Sequence, residues 1–243
     1  MRDTTKPVIT LNGENPVNLE VGAAYIESGA TVTDNYDTAI QNKLVISGTV
    51  NTVVVGTYYL YYNATDSERN GADEVIRTVN VTDGTAPIVT LSGANPQYLE
   101  VKTPYVELGA TANDAVDGNL QVTIDSGNVN SNQIGVYYVY YTAIDSANNT
   151  GSVTRTVIVR DTTTPILTLN GSGEITLEVP QTYQDEGAER MDNYDGTGIV
   201  YGSGIVHYNL AGSYTLKYSY VDTSGNTGNI LTRTIHVVGK PSG

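Results

Sequence analysis

Apolar and polar residues alternate along this chain in short runs, and one run is written three times. GTYYLYYNATD, from Gly56 to Asp66, puts Tyr58, Leu60, Tyr62 and Ala64 on one face of an extended segment and Tyr59, Tyr61 and Asn63 on the other. The pattern returns as GVYYVYYTAID from Gly135 and as GSYTLKYSYVD from Gly212. The remaining runs of the first copy read in order. PVITL includes Pro7, alternates, and stops at the turn Asn12-Gly13; NLEV is a second short strand; GATVTD leads to an acidic loop, DNYD; LVISG is the next strand; VIRTVNV closes the unit. About seven short strands, with turns every 8 to 12 residues or so, predict an all-β Greek-key sandwich. No stretch keeps a period of about 3.6 residues for three turns, so no helix is predicted.

The landmarks recur together. Asp3, Asp83 and Asp161 open the copies, and Glu20, Glu100 and Glu178, then Gly29, Gly109 and Gly187, then Asp34, Asp114 and Asp192 follow at matching distances. A period of about 80 residues marks whole domains rather than solenoid turns, giving domains 1–82, 83–160 and 161–243. Asp3 with Pro7 repeats the linker, so a further domain is expected before copy one; VVGKPSG lacks the DTTxP linker, so the array is expected to end or change module there. Charge narrows the partners. With 12 basic residues against 26 acidic ones and a formal charge of −14, no basic patch exists to displace phosphate counterions, which argues against nucleic acid and favours divalent cations. No apolar run approaches the ~18 residues of a membrane span, and MRDTTKPVIT has no signal-peptide core. With no cysteine, each small domain must be held by its core, its neighbours or bound ions.

Taken together, DTTxPxITL, LEVG, GATxxDNYD and GxYxLxYxAxD resemble bacterial immunoglobulin-like repeats, which occur in tandem in secreted and cell-surface proteins such as adhesins and surface-layer proteins; they are also similar to the hyalin repeat. The resemblance covers nearly the whole chain. It implies three tandem immunoglobulin-like sandwiches in an extended array, an extracellular, non-catalytic stalk, spacer or lattice segment beside neighbouring domains of a longer surface protein. Copy three departs from the pattern with Pro180 at the Gly22 position and Tyr220 at the Ala64 position. In immunoglobulin domains a tyrosine two residues before the second cysteine forms the tyrosine corner. Tyr58, Tyr137 and Tyr214 stand two before Leu60, Val139 and Leu216, apolar residues at that cysteine position.

The candidate chemistry is acidic. Linker residues Asp3, Asp83 and Asp161, loop pairs Asp34/Asp37, Asp114/Asp117 and Asp192/Asp195, and strand-end residues Asp66, Asp145 and Asp222 recur in every copy. If the first strand runs away from the linker, antiparallel connections return the chain to the linker end at DNYD and again after the tyrosine strand, so each acidic set crowds one pole. Calcium takes six to eight oxygen ligands, which carboxylates from separate loops and backbone carbonyls supply together. The set is similar to cadherin-type junctions, whose logic adds a glutamate from the base of the preceding domain; Glu20 and Glu100 are the candidates for that ligand. The structural alternative is that these aspartates form Asx turns, with the inward-facing Arg77, Arg155 and Arg233 pairing with them, although one arginine does not neutralise four carboxylates.

Two other functions compete with this one. A carbohydrate- or protein-binding adhesion module would use the outward rings of Tyr59, Tyr61, Tyr138 and Tyr140, stacked on glycans or a cell-surface partner; copy three has Thr215 and Lys217 there, and cross-strand tyrosines are ordinary on sheet surfaces. Catalysis has little to rest on. His207 and His236 occur in copy three alone and have no GxSxG, HExxH or phosphate loop beside them, so both are expected to be surface residues.

Overall fold

The computed structural model describes residues 2–239, and strands dominate it; Met1 and the tail from Lys240, which carries part of the expected change of module, lie outside the described residues. The chain divides into two compact units. One runs to Val89 and includes Thr111–Val122 and Thr142–Ser152; the other comprises Thr90–Ala110, Thr123–Tyr141 and the chain from Val153. The first unit holds the whole first repeat and the acidic loops of the second. The other holds the remainder of the second repeat and the third.

The first repeat shows how the alternating runs assemble. Its strands are β1 (Val8–Leu11), β2 (Val17–Glu20), β3 (Ala30–Thr33), β4 (Val45–Ser47), β5 (Gly56–Asn63) and β6 (Val75–Thr82). β1 pairs antiparallel with β3, and the second sheet has the order β2-β6-β5-β4, antiparallel except for β2, which runs parallel to β6. Splitting the first edge between two sheets in this way is immunoglobulin-like Greek-key topology. Ile9 and Val32 from the small sheet pack on Leu60 and Tyr62 from the large one, each enclosed side chain contributing about 1.5 to 3 kcal/mol. The third repeat has the same plan, with Leu167 and Ala188 against Leu216, Tyr218 and Ile235.

The three repeats differ in one strand of the small sheet. The second and third repeats add a short strand to the small sheet, Gly118–Leu120 on Ala110–Asp114 and Gly196–Val200 on Ala188–Asp192. The first repeat has a 3-10 turn instead, Ile40–Lys43, too short to show a helical period and anchored by the buried Ile40. Gln41 stands in for the missing strand. Its Oε1 accepts from the Val32 N–H at 2.8 Å and its Nε2 donates to the Ala30 carbonyl at 3.0 Å, which satisfies the open edge of β3.

The tyrosine corners form as the spacing predicts: the hydroxyls of Tyr58, Tyr137 and Tyr214 donate to the carbonyls of Val54, Gln133 and Leu210 at 2.8 to 2.9 Å. The arginines correct an expectation. Arg77, Arg155 and Arg233 do point inward and are essentially inaccessible, but they do not pair with the acidic pole. Arg77 donates to the Tyr62 hydroxyl at 2.9 Å, to the carbonyls of Asn12 and Glu14 at 2.6 Å and of Gly29 at 3.0 Å, and lies 3.3 Å from the Glu27 carboxylate. The guanidinium is consumed just beyond the end of β1 by turn carbonyls and a core glutamate. Arg233 repeats the ion pair with Asp185 at 2.6 Å.

Close packing also makes a prediction. A Cβ added to Gly151 would sit 1.8 Å from the Pro87 carbonyl oxygen, a backbone atom that cannot rotate aside. Gly151→Ala is expected to lower stability by at least about 2 kcal/mol through overpacking, read as a lowered midpoint in urea at unchanged slope. Gly71→Ala, whose added methyl meets nothing within 4 Å, is the matched control and should change stability little.

Candidate metal centre

The fold delivers the acidic residues to one pole of each repeat for a simple reason. β1 leaves the linker, β3 returns antiparallel to it, and β5 runs antiparallel to the departing β6, so the residues after β3 and β5 arrive beside the incoming linker. Among the described residues three groups result: Asp3, Asp34 and Asp66; Asp83, Asp114 and Asp117; Asp161, Asp192 and Asp222. Within each group one oxygen per carboxylate lies within 4.8 Å of the others.

The two oxygens of these carboxylates are used differently. In the linkers, Oδ1 of Asp3, Asp83 and Asp161 accepts the N–H two residues on, from Thr5, Thr85 and Thr163. In the loops, Oδ1 of Asp34, Asp114 and Asp192 accepts the N–H groups two and three residues on, at 2.7 to 3.1 Å. These are Asx turns, as the structural alternative expects. The turns leave Oδ2 over. Oδ2 of Asp34, Asp83, Asp114, Asp161 and Asp192 is buried with no hydrogen-bond partner, as is Oδ1 of Asn193. Asp83 and Asp114 are 9% and 4% exposed, Asp161 and Asp192 6% and 8%. Unpaired, desolvated carboxylate oxygens are costly unless a cation joins them.

The remaining predicted residues sit around these groups. Asp66, Asp145 and Asp222 are gripped by Asn70, Asn149 and Asn226, whose Nδ2 groups also donate to the carbonyls of Asp3, Asp83 and Asp161 at 3.2 to 3.3 Å, tying linker to loop. Asp37 is held by Lys43 and Ser67, Asp117 by Ser146, and Asp195 by Thr223 and Tyr220. Glu20 and Glu100 do reach the next linker, because β2 runs parallel to β6 and ends at the pole from which the chain leaves. Their carboxylates are engaged there by the linker itself. Glu20 accepts from the Gly84 N–H and the Thr85 hydroxyl at 2.9 Å; Glu100 accepts from Thr162, Thr163 and Asn193.

Proton affinities follow the same geometry. The Thr85 N–H pulls Asp83 down, but burial and the charges of Asp114, Asp145 and Glu20 outweigh it and leave Asp83 above the usual carboxylate range. Burial, with Asp192 and Asp222, raises Asp161 likewise. Asp114 is held low by the N–H groups of Asp117 and Val116. Burial raises Glu100, yet the donors of Thr162, Thr163 and Asn193 prevail and bring it to about 2.

Sequence comparison assigns these repeats. The family model of the bacterial surface protein Ig-like domain matches residues 9–81, 89–159 and 167–237. The chain belongs to this family. Among curated relatives of these Ig-like repeats, hyalin of Strongylocentrotus purpuratus is 36% identical over 133 residues, covering 51% of this chain and 10% of hyalin. An 81.3 kDa protein of Acholeplasma phage L2 is 33% identical over 138 residues, 53% of this chain and 18% of that protein. Hyalin of Lytechinus variegatus is 29% identical over 261 residues, 97% of this chain and 47% of hyalin. The chain therefore spans less than half the length of these relatives. Among solved structures, a protocadherin gammaB7 fragment aligns over 92% of this chain and 72% of its own with 12% identity and a TM-score of 0.35.

Two sets of residues in the Ig-like repeats escape sequence reading, and both leave a signal. The core carboxylates Glu27, Glu107 and Asp185 lie in YIESG, YVELG and YQDEG, and the linker-tying asparagines stand four residues after Asp66, Asp145 and Asp222. Tyr220, the departure at the Ala64 position, has a role: its hydroxyl donates to Asp195 at 3.1 Å and Arg190 stacks on its ring. The outward tyrosines Tyr59, Tyr61, Tyr138 and Tyr140 are exposed as predicted, Tyr59 and Tyr61 lying across from Thr78 and Ile76 on the sheet surface. His236 faces Ser213 across a strand pair at 2.9 Å, and His207 packs on Tyr214. Among the described residues, no helix is long and apolar enough to cross a membrane.

Proposed function

We propose that the chain is a non-catalytic, extracellular structural segment of a longer surface protein, organised as domains 1–82, 83–160 and 161–243, whose acidic poles bind calcium and stiffen the junctions at Asp83 and Asp161. The observation that supports this most directly is the set of buried Oδ2 atoms left without a partner. Calcium bonds oxygen at 2.3 to 2.6 Å, so two ligands on opposite sides of one ion stand about 5 Å apart. Carboxylate oxygens within 4.8 Å of each other fit one such ion. The linker aspartate and the aspartate after β3, or its counterpart, would be its main ligands, joined by Asp66, Asp117 and Asp222. Glu20 and Glu100 act beside the ion as clamps on the linker. An ion bound this way would tie the linker to two loops of the domain it enters, reducing freedom at the joint. All-oxygen, carboxylate-rich donors favour calcium over the softer transition metals.

Calorimetric titration of the chain with calcium chloride tests the reading. Saturable uptake is expected, with the thermal transition rising; at a free concentration 100 times Kd each site adds about 2.7 kcal/mol. Asp114→Asn with Asp192→Asn keeps the loop turns but removes the inward charge, and should abolish binding at the second and third poles. No uptake at millimolar calcium, with melting and solution scattering unchanged by a chelator, would overturn it.

A further inference from the structure

We propose, resting on the calcium reading above, that the three poles are unequal and that Lys43 is a tethered cation that weakens calcium binding at the first. Lys43 closes the 3-10 turn Ile40–Lys43, which the first repeat has where the other two have an added strand. Its Nζ meets Asp37 Oδ2 at 2.8 Å and Ser67 Oγ at 2.8 Å, and Ser67 Oγ in turn donates to Asp37 at 2.7 Å. Ser67 directly follows Asp66, so the ammonium bridges both loops that supply carboxylates to this pole. Asp37, so held, stands outside the group formed by Asp3, Asp34 and Asp66. The equivalent Asp117 of the second repeat stands with Asp83 and Asp114, and its own partners are the N–H and hydroxyl of Ser146, neither of them charged. In the third repeat Asp195 is held by the uncharged Thr223 and Tyr220, with Arg190 stacked on the Tyr220 ring at 4.4 Å, and Lys102 reaches that loop at the Asn193 carbonyl rather than at a carboxylate.

The unpartnered oxygens follow the same order. The first pole has one, on Asp34, while the second has two, on Asp83 and Asp114, and the third two, on Asp161 and Asp192. Calcium affinity in oxygen sites is set by the count of ligand charges and by rigidity. A pole whose charge is already partly compensated by an internal ammonium, and which has fewer unpartnered oxygens to satisfy, gains less from an incoming ion. The chain therefore takes up two calcium ions tightly and a third at least about tenfold more weakly.

The test is a competition titration of the whole chain with calcium chloride against a chromophoric chelator. Wild type is expected to show two tight equivalents and one weak; Lys43→Met and Lys43→Gln should each show three tight equivalents, and Lys43→Arg should return the weak one. Two substitutions of different polarity separate the charge from any local misfolding, which calorimetry of the first repeat would reveal. Three equal equivalents in wild type, or a weak site that persists in both neutral variants, would overturn the inference while leaving calcium binding intact. Absence of uptake by every variant would instead overturn the calcium reading and this inference with it.

Discussion

Arg155→Met is expected to melt the second repeat well before its neighbours. The guanidinium is fully enclosed and donates to the Tyr141 hydroxyl at 2.9 Å and to the carbonyls of Ser92, Gly109 and Ala94. Methionine fills the stem's volume but leaves those acceptors and the half-buried Glu107 carboxylate beside them without a cation. Breaking such a buried network from one side costs about 3 to 5 kcal/mol, a large share of the 5 to 15 kcal/mol that typically holds a domain. For a domain of this size that is a fall on the order of 15 to 30 °C, seen in calorimetry as a separate early transition. Arg155→Lys should fail almost as badly, since one ammonium on a flexible stem cannot serve acceptors spread around a planar fork. A melting curve unchanged by either substitution would mean that the network contributes little beyond packing.

The second large effect is acid sensitivity of the same cores. Burial pushes the Glu27 carboxyl up, but the hydroxyls of Tyr25 and Tyr62, the Gly29 N–H and Arg77 more than reverse it; Glu107 and Asp185 are lowered by equivalent sets. A carboxylate whose folded pKa lies below its unfolded value stabilises the fold fully above the unfolded value, about 4.3 for glutamate and 3.9 for aspartate, and loses that contribution as pH falls through the folded one. All three repeats therefore lose stability together below about pH 4. Urea midpoints measured from pH 6 down to pH 2.5 check this. Glu107→Gln should start lower at pH 6 and flatten the acid limb of the second repeat; an acid limb as steep as wild type would place the titrating groups elsewhere.

Both effects concern residues only half legible in the chain. The period-two alternation of GTYYLYYNATD marks β5 and its inward face because every second side chain of a strand shares a side, and Tyr62 and Leu60 are indeed core. The inward turn of Arg77 follows from the same parity. Its partners do not, since Glu27 and the carbonyls of Asn12 and Gly29 come from segments that only the packed sheets bring together.

The acidic poles divide the same way. Sequence alone determined that three all-β repeats exist and that each returns two aspartate-bearing loops to its linker, because strand alternation, turn residues and antiparallel chain reversal are local or nearly local facts. Three things waited for the tertiary structure. A four-residue strand such as β2 carries no direction of its own, so its parallel pairing with β6 alone sent Glu20 to the departing linker. Asx turns consume one oxygen of a carboxylate and say nothing of the other, so only packing left the Oδ2 atoms buried and without a partner. Lys43 looks like an isolated surface charge in sequence; the 3-10 turn that replaces a strand carries it to Asp37 at the first pole.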